Sequence, residues 1–230
     1  MAYADLNQVI TQAQAGQLIS FPTDTVAGLA ARPDQARQIF TAKQREANKP
    51  LILLGATAAD LWPYVVGTES ERVVWQAITD RFWPGALTLV LPASNRVPSA
   101  VNPQQTGAIG IRVPNHPVAR HILAQSGPLA TTSVNLSGEP PLLTPAEIAT
   151  TFPQISVVDP QVTFPDPVTP VTRPAWSKVW MPPQTAQPST VAQWAGNGWS
   201  ILRTGAVTLA QLEAAASAED DSQGRISSRS

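Results

Sequence analysis

Apolar residues recur along the chain with two alternating periods. Leu6, Val9, Ile10 and Ala13 repeat at helical spacing, and Gly16 closes that segment. A short continuous apolar run, Leu18 to Phe21, reads as a buried strand that ends in Pro22-Thr23-Asp24-Thr25. Pro33 opens a second helix with Ala36, Ile39 and Phe40 on its inner face, and Lys43 and Arg45 end it. Leu51 to Leu54 is the next strand. Thr68 and Glu71 form a capping box ahead of Val73, Val74, Ala77 and Ile78, and Trp83-Pro84-Gly85 breaks that helix. Strands are predicted over Ala86 to Leu91 and Gly107 to Val113. A helix starts at His116-Pro117 with Val118, Ile122 and Leu123 inside. Leu129 to Thr132 is a strand running into Ser133-Val134-Asn135. Thr144-Pro145-Ala146-Glu147 is another capping box, followed by a strand over Ile155 to Asp159.

The pattern then changes. Nine prolines lie between Pro153 and Pro188, too many for regular structure, so residues 160–188 are expected to form an extended loop or lid. Thr190 to Trp194 and Trp199 to Arg203 flank Gly196-Asn197-Gly198, which predicts a hairpin. Thr208 caps a last short helix through Leu209 and Leu212. Residues 1–212 are thus read as one domain and 213–230 as a polar, disordered tail. Strands alternating with helices argue for an α/β fold, and the terminal hairpin makes its sheet mixed.

Composition narrows the chemistry. The net charge of −1 over 230 residues supplies no global field for non-specific binding to nucleic acid or membrane. No cysteine is present, which excludes disulfides, thiol catalysis and thiolate metal sites. No apolar run approaches the roughly 18 residues of a membrane span, and the N-terminus lacks a basic, apolar leader, so a cytoplasmic protein is expected. Neither a G-x-x-x-x-G-K-[ST] nor a G-x-G-x-x-G phosphate loop occurs. His116 and His121 have no carboxylate companions at ligand spacing, so no protein metal site is predicted.

Two clusters stand out against this background. Lysine occurs only at 43, 49 and 178, and Lys43, Arg45 and Lys49 concentrate positive charge before the strand at Leu51. Such charge at a strand end suits a polyanion like a nucleotide triphosphate, although a solvated helix C-terminus uses the same residues. Ser133 and Asn135, two apart in an extended segment, face one side and would present a hydroxyl and an amide together. An ordinary strand-to-loop turn would also favour them.

In order, the chain contains Pro22-Thr23-Asp24-Thr25-Val26, Lys43-x-Arg45, Lys49-Pro50-Leu51-Ile52, Trp83-Pro84-Gly85-Ala86-Leu87-Thr88, Arg112-Val113-Pro114-Asn115-His116-Pro117 and Ser133-x-Asn135-Leu136-Ser137-Gly138. Pro188-Ser189-Thr190-Val191 and Ile201-Leu202-Arg203-x-Gly205 follow. This set resembles the YrdC/TsaC family of threonylcarbamoyl-AMP synthases, in its short form without an additional C-terminal domain. The resemblance implies a twisted mixed parallel and antiparallel sheet flanked by helices, with a concave, positively charged cavity. It implies synthesis of threonylcarbamoyl-AMP and pyrophosphate from L-threonine, bicarbonate or CO2, and ATP. The product would serve tRNA threonylcarbamoyl transferase proteins that make N6-threonylcarbamoyladenosine. By the same resemblance Lys43, Arg45, Ser133 and Asn135 are the signature catalytic residues. Lys43, Arg45, Lys49, Asn135 and Arg203 would bind ATP; Thr23, Arg112, Ser133 and Ser189 would bind threonine. Mg2+ is expected to arrive with ATP, with no tightly bound cofactor besides.

The match departs at several positions. Ala27 stands where the family usually has tyrosine, Glu46 replaces a proline, and Leu54 replaces a common histidine. Leu142-Leu143 replaces Ser/Pro-rich residues, and an Asp-Gly-Gly near Asp159 is missing. The alternative is therefore a diverged member that binds nucleotide, or RNA weakly, without threonine-dependent synthesis.

Overall fold

In a computed structural model of the chain, the described residues are 3–44, 46, 50–162, 180 and 187–217. Their strands are β1 (Tyr3–Ala4), β2 (Ile19–Phe21), β3 (Gly28–Ala31), β4 (Ile52–Leu54), β5 (Leu87–Pro92), β6 (Ala108–Arg112), β7 (Leu129–Ser133), β8 (Ser156–Val158), β9 (Thr190–Trp194) and β10 (Trp199–Arg203). The helices are α1 (Leu6–Gln14), α2 (Arg37–Ala42), α3 (Ala58–Leu61), α4 (Glu69–Phe82), α5 (Pro117–Ser126) and α6 (Pro145–Thr151). The strands form a single sheet in the order β1-β8-β2-β3-β7-β4-β6-β5-β9-β10. Pairs such as β4 with β6 and β5 with β9 are parallel; β3 with β7, β4 with β7 and β9 with β10 are antiparallel. The sheet is mixed, as the hairpin at Gly196-Asn197-Gly198 predicts.

Alternate residues of each strand face opposite cores. Leu53 of β4 and Ala130 of β7 join the cluster that contains Ile39 of α2, Trp75 of α4 and Ile148 of α6. Their neighbours Leu54 and Leu129 join the second cluster with Val9 of α1 and Ile122 of α5. Helices thus cover both faces, which is why the strands read as short continuous apolar runs rather than alternating ones.

Strand β3 is absent from the hydropathy reading. Gly28-Leu29-Ala30-Ala31 lacks β-branched and aromatic residues, so it carries no strand signal of its own. All four residues are buried, and β3 pairs antiparallel with both β2 and β7. Small side chains fit a strand packed on both faces; tertiary context overrides propensity here. The last helix also differs from the reading. Residues 209–217 are helical, past the 212 boundary, and Ala215 is buried with Leu212. The stretches 163–179, 181–186 and 218–230 lie outside the described residues, and with them most of the Pro-rich segment 160–188 and of the tail.

The capping signals are realised. Thr68 Oγ1 accepts from the Glu71 amide at 3.2 Å, and the Glu71 carboxylate accepts from the Thr68 amide at 2.8 Å. Glu71 Oε1 also accepts from Trp194 Nε1 at 2.8 Å, which ties the start of α4 to β9. Trp194 in turn packs edge-on against Trp75 and Trp199, at centroid distances of 6.3 and 5.1 Å. These three tryptophans serve packing. Hydrogen bonds from Thr68 and Trp194 hold the Glu71 carboxyl below its ordinary range. The stability it contributes is therefore complete above the ordinary carboxylate pKa and is lost as pH falls through the lower, folded value. Thr68→Ala should lower the unfolding free energy by about 1 kcal/mol, read as a reduced urea midpoint at unchanged slope. Glu71→Gln should flatten the acid side of the stability profile while leaving its neutral-to-alkaline shape intact.

Candidate active site

The site gathers residues of β3, β4, β5, β6, β7, β9 and β10 with the turns that join β2 to β3 and follow β7. Lys43 caps the C-terminus of α2 and is only 2% exposed. Its Nζ donates to the Ser133 carbonyl at 2.5 Å and to Asn135 Oδ1 at 3.0 Å. The Lys43 carbonyl accepts from the Ser137 amide at 3.1 Å, so the turn after β7 is clasped onto the end of α2 from both sides. A solvated helix terminus does not describe this lysine. Nor is it unpaired: its charge is buried and hydrogen-bonded, as a buried ammonium must be.

Ser133 and Asn135 do face the same way. Ser133 Oγ donates to Asn135 Oδ1 at 2.7 Å. Asn135 Nδ2 donates to the carbonyls of Leu136 and Glu139, both at 2.7 Å. With Lys43 and Ser133 on its oxygen, every hydrogen-bonding position of this amide is filled by the protein. Asn135, 8% exposed, is turned onto Lys43 rather than outward.

On the other side, Arg112 at the end of β6 is 4% exposed. Its Nε donates to the Gly85 carbonyl and its Nη1 to Thr25 Oγ1, both at 2.8 Å. Its Nη2 forms an ion pair with Asp24 at 2.6 Å. Thr23 shapes the same turn: its hydroxyl donates to the Val26 carbonyl at 2.7 Å and accepts from the Thr25 amide at 3.1 Å. The Thr23 proton is thereby committed within the turn.

The third contributor is the C-terminal hairpin. A register shift between Ile201 and Arg203 bulges β10 and turns Arg203 back along β9. Arg203 donates from Nε to the Ser189 carbonyl and from Nη2 to Ser189 Oγ, both at 3.0 Å. Ser189 Oγ lies 2.9 Å from Thr88 Oγ1. Gly205 explains itself here. A Cβ at that position would stand 2.3 Å from the Thr190 amide nitrogen and 2.6 Å from the Ser189 carbonyl carbon, so only glycine lets this loop lie on Ser189.

These elements enclose a cavity of about 340 Å³. Thr23, Arg112, Ser133, Ser189 and Arg203 line it; Lys43 and Asn135 sit behind Ser133. Arg45 and Lys49 lie outside the described residues. Among the described residues, the charged ones that line it are Arg112 and Arg203. Burial lowers the Arg112 pKa; Asp24 opposes the shift, and the like charge of Arg203 adds to it. Burial also lowers that of Arg203. Asp24 pairs with Arg112, and Arg203 has no ion pair among the described residues, which leaves a positive charge for an anionic ligand to neutralise. Its apolar lining includes Ala27, Ile52 and Leu54. Among the described residues no three His, Asp or Glu side chains cluster at metal-binding distance, and no helix is long and apolar enough to cross a membrane.

Sequence reasoning missed Asp24, Thr25, Gly85 and Thr88 as parts of the site. All four lie inside the quoted motifs, but a carboxylate or carbonyl that orients an arginine has no signature until the fold joins the segments.

Residues 11–171 match the Sua5/YciO/YrdC sequence family, described as telomere recombination. Threonylcarbamoyl-AMP synthase of Vibrio parahaemolyticus is 36% identical over 149 residues, covering 63% of this chain and 79% of that protein. The Bacillus subtilis enzyme of the same name is 39% identical over 131 residues, covering 54% of this chain and 36% of that one. Among solved structures, P. abyssi Sua5 complexed with L-threonine superposes with a TM-score of 0.73 at 26% identity, over 91% of this chain and 56% of its own. The chain thus spans little more than half of that structure. E. coli YciO shares the fold, with a TM-score of 0.68 at 20% identity.

Asn135→Ala should leave the buried ammonium short of a partner and lower stability by about 2 kcal/mol, measured by urea unfolding. Gly205→Ala should shift the Arg203 arm and lower the melting temperature. Gly198→Ala, where a Cβ meets open space, serves as the neutral control.

Proposed function

The chain belongs to the Sua5/YciO/YrdC family, and we propose that it makes threonylcarbamoyl-AMP and pyrophosphate from L-threonine, bicarbonate or CO2, and ATP. The observation that carries this reading is a pair of guanidiniums on the wall of one cavity, the buried Arg112 paired with Asp24 and Arg203 without an ion pair among the described residues. A small amino acid offers a carboxylate to Arg203, which has none among the described residues. The curated relatives named threonylcarbamoyl-AMP synthase and the Sua5 structure holding L-threonine support the same substrate.

In this reading Arg112, Arg203 and Ser189 hold the threonine carboxylate, a task for which guanidinium geometry is suited. Thr23 keeps the turn that carries Asp24 and Thr25, and so acts through Arg112. Threonine's amine adds to CO2 and gives up a proton, forming a carbamate. A carbamate oxygen then attacks the α-phosphate of ATP in line, and pyrophosphate leaves with the electron pair of the broken P–O bond. No covalent protein intermediate is needed; the protein contributes positioning and positive charge. Lys43 contributes by fixing the Ser133–Ser137 turn and by its charge behind Ser133. Arg45 and Lys49 are assigned to the triphosphate, and the concave cavity to its positive potential. Mg2+ would ride on the phosphate oxygens and water, since the described residues offer it no carboxylate cluster. Downstream transferase proteins and tRNA complete the route.

Ala27 and Leu54 in the apolar lining favour a second reading, in which the same chemistry acts on an amino acid other than threonine. Pyrophosphate release from ATP and bicarbonate should depend on L-threonine in the wild type. Arg203→Ala should lower kcat/KM for threonine about a hundredfold, and Lys43→Ala should abolish turnover. Release supported equally by other amino acids would select the second reading. Salt-dependent RNA binding without pyrophosphate release would reject both.

A further inference from the structure

We infer that Gly28 of β3 is a specificity-determining residue, whose missing side chain gives the nucleotide part of the ligand room to lie against the strand. Gly28 is buried, lines the cavity and pairs in register with Ser133, so the two share a face of the sheet. A strand keeps a glycine for a left-handed backbone, for a neighbour that excludes a Cβ, or for a ligand that approaches the main chain. The first does not apply, because Gly28 is not among the glycines with positive φ. Nor does the second. A Cβ on Gly28 would meet nothing nearer than 4.0 Å, and there only the Phe21 ring edge and carbonyl, which is ordinary contact. Gly110 and Gly205 differ. A Cβ at Gly110 would stand 2.7 Å from Ile52 Cγ2, and one at Gly205 would overlap backbone. Those two are packing glycines. At Gly28 alanine would suit the fold better, since glycine loses more backbone freedom on folding and has weak strand propensity. The cavity supplies the reason that the fold does not.

Sheet order says which part of the ligand passes there. The strands that line the cavity run β3-β7-β4-β6-β5-β9-β10. Gly28 comes from one end of that row and Arg203 from the other. With the amino-acid carboxylate at Arg203, as in the proposed function, the part of the ligand that reaches β3 is the nucleotide. Charge agrees with this. The carbonyl of Ser133, the register partner of Gly28, accepts from the buried Lys43 ammonium, so positive charge stands beside the bare strand and would attract a phosphate. A methyl on Gly28 would enter the cavity at this point and leave every cationic residue in place. The choice of a nucleotide rests on the proposed function; the clearance at Gly28 does not.

The test compares the wild type with Gly28→Ala in two measurements. Thermal unfolding should show the variant melting about 2 °C above the wild type. Calorimetry with ATP as the probe should show binding weakened about tenfold in the same variant. Stability gained and affinity lost together is a result that a packing role for the glycine would not give. A melting temperature at or below that of the wild type overturns the inference, and so does a variant that does not fold, because the fold would then need the glycine. ATP affinity within about twofold of the wild type overturns it as well. So does wild-type protein that does not bind ATP. If the wild type binds ATP but releases no pyrophosphate with L-threonine, the synthase reading fails, and the melting and ATP measurements alone decide the role of Gly28.

Discussion

A lysine ammonium buried at the end of a six-residue helix holds this site together. Lys43 cannot remain charged in the interior without hydrogen-bond acceptors, and the turn after β7 supplies them through the Ser133 carbonyl and Asn135. Asn135 can serve only because its own amide protons are spent on Leu136 and Glu139. The residues that look like substrate ligands in the sequence thus first satisfy one another. The lysine fixes the turn, and the turn fixes the wall of the cavity behind which the charge lies.

A second constraint acts across the cavity. Arg112 and Arg203 come from strands that are not neighbours, β6 and β10, separated in the sheet by β5 and β9. Their like charges are held close by an ion pair on one side and by two bonds to Ser189 on the other. An anion in the cavity would neutralise the positive charge that Asp24 leaves uncompensated. The glycine at 205 and the bulge in β10 have their purpose in this arm rather than in the hairpin itself.

Much of this was legible in the chain. The capping boxes at Thr68 and Thr144, the breaker at Trp83-Pro84-Gly85 and the Asn-Gly hairpin each depend on local chemistry, and each is realised within a residue or two. Strand β3 was not legible because Gly28, Ala30 and Ala31 carry little β propensity of their own. At the site, the residue types of Lys43, Ser133 and Asn135 marked the place, but not that they bind each other. That Arg112 would find Asp24, and Ser189 would find Thr88, depends on pairs separated by 88 and 101 positions. Only the sheet order brings them together.

The most direct test of the account is the identity of the nucleotide product. The protein would be incubated with ATP, L-threonine and isotopically labelled bicarbonate, and the products resolved by mass spectrometry. The account predicts an AMP adduct that carries both the threonine skeleton and the labelled carbon. AMP or ADP without label, or labelled adduct only with a different amino acid, would contradict it.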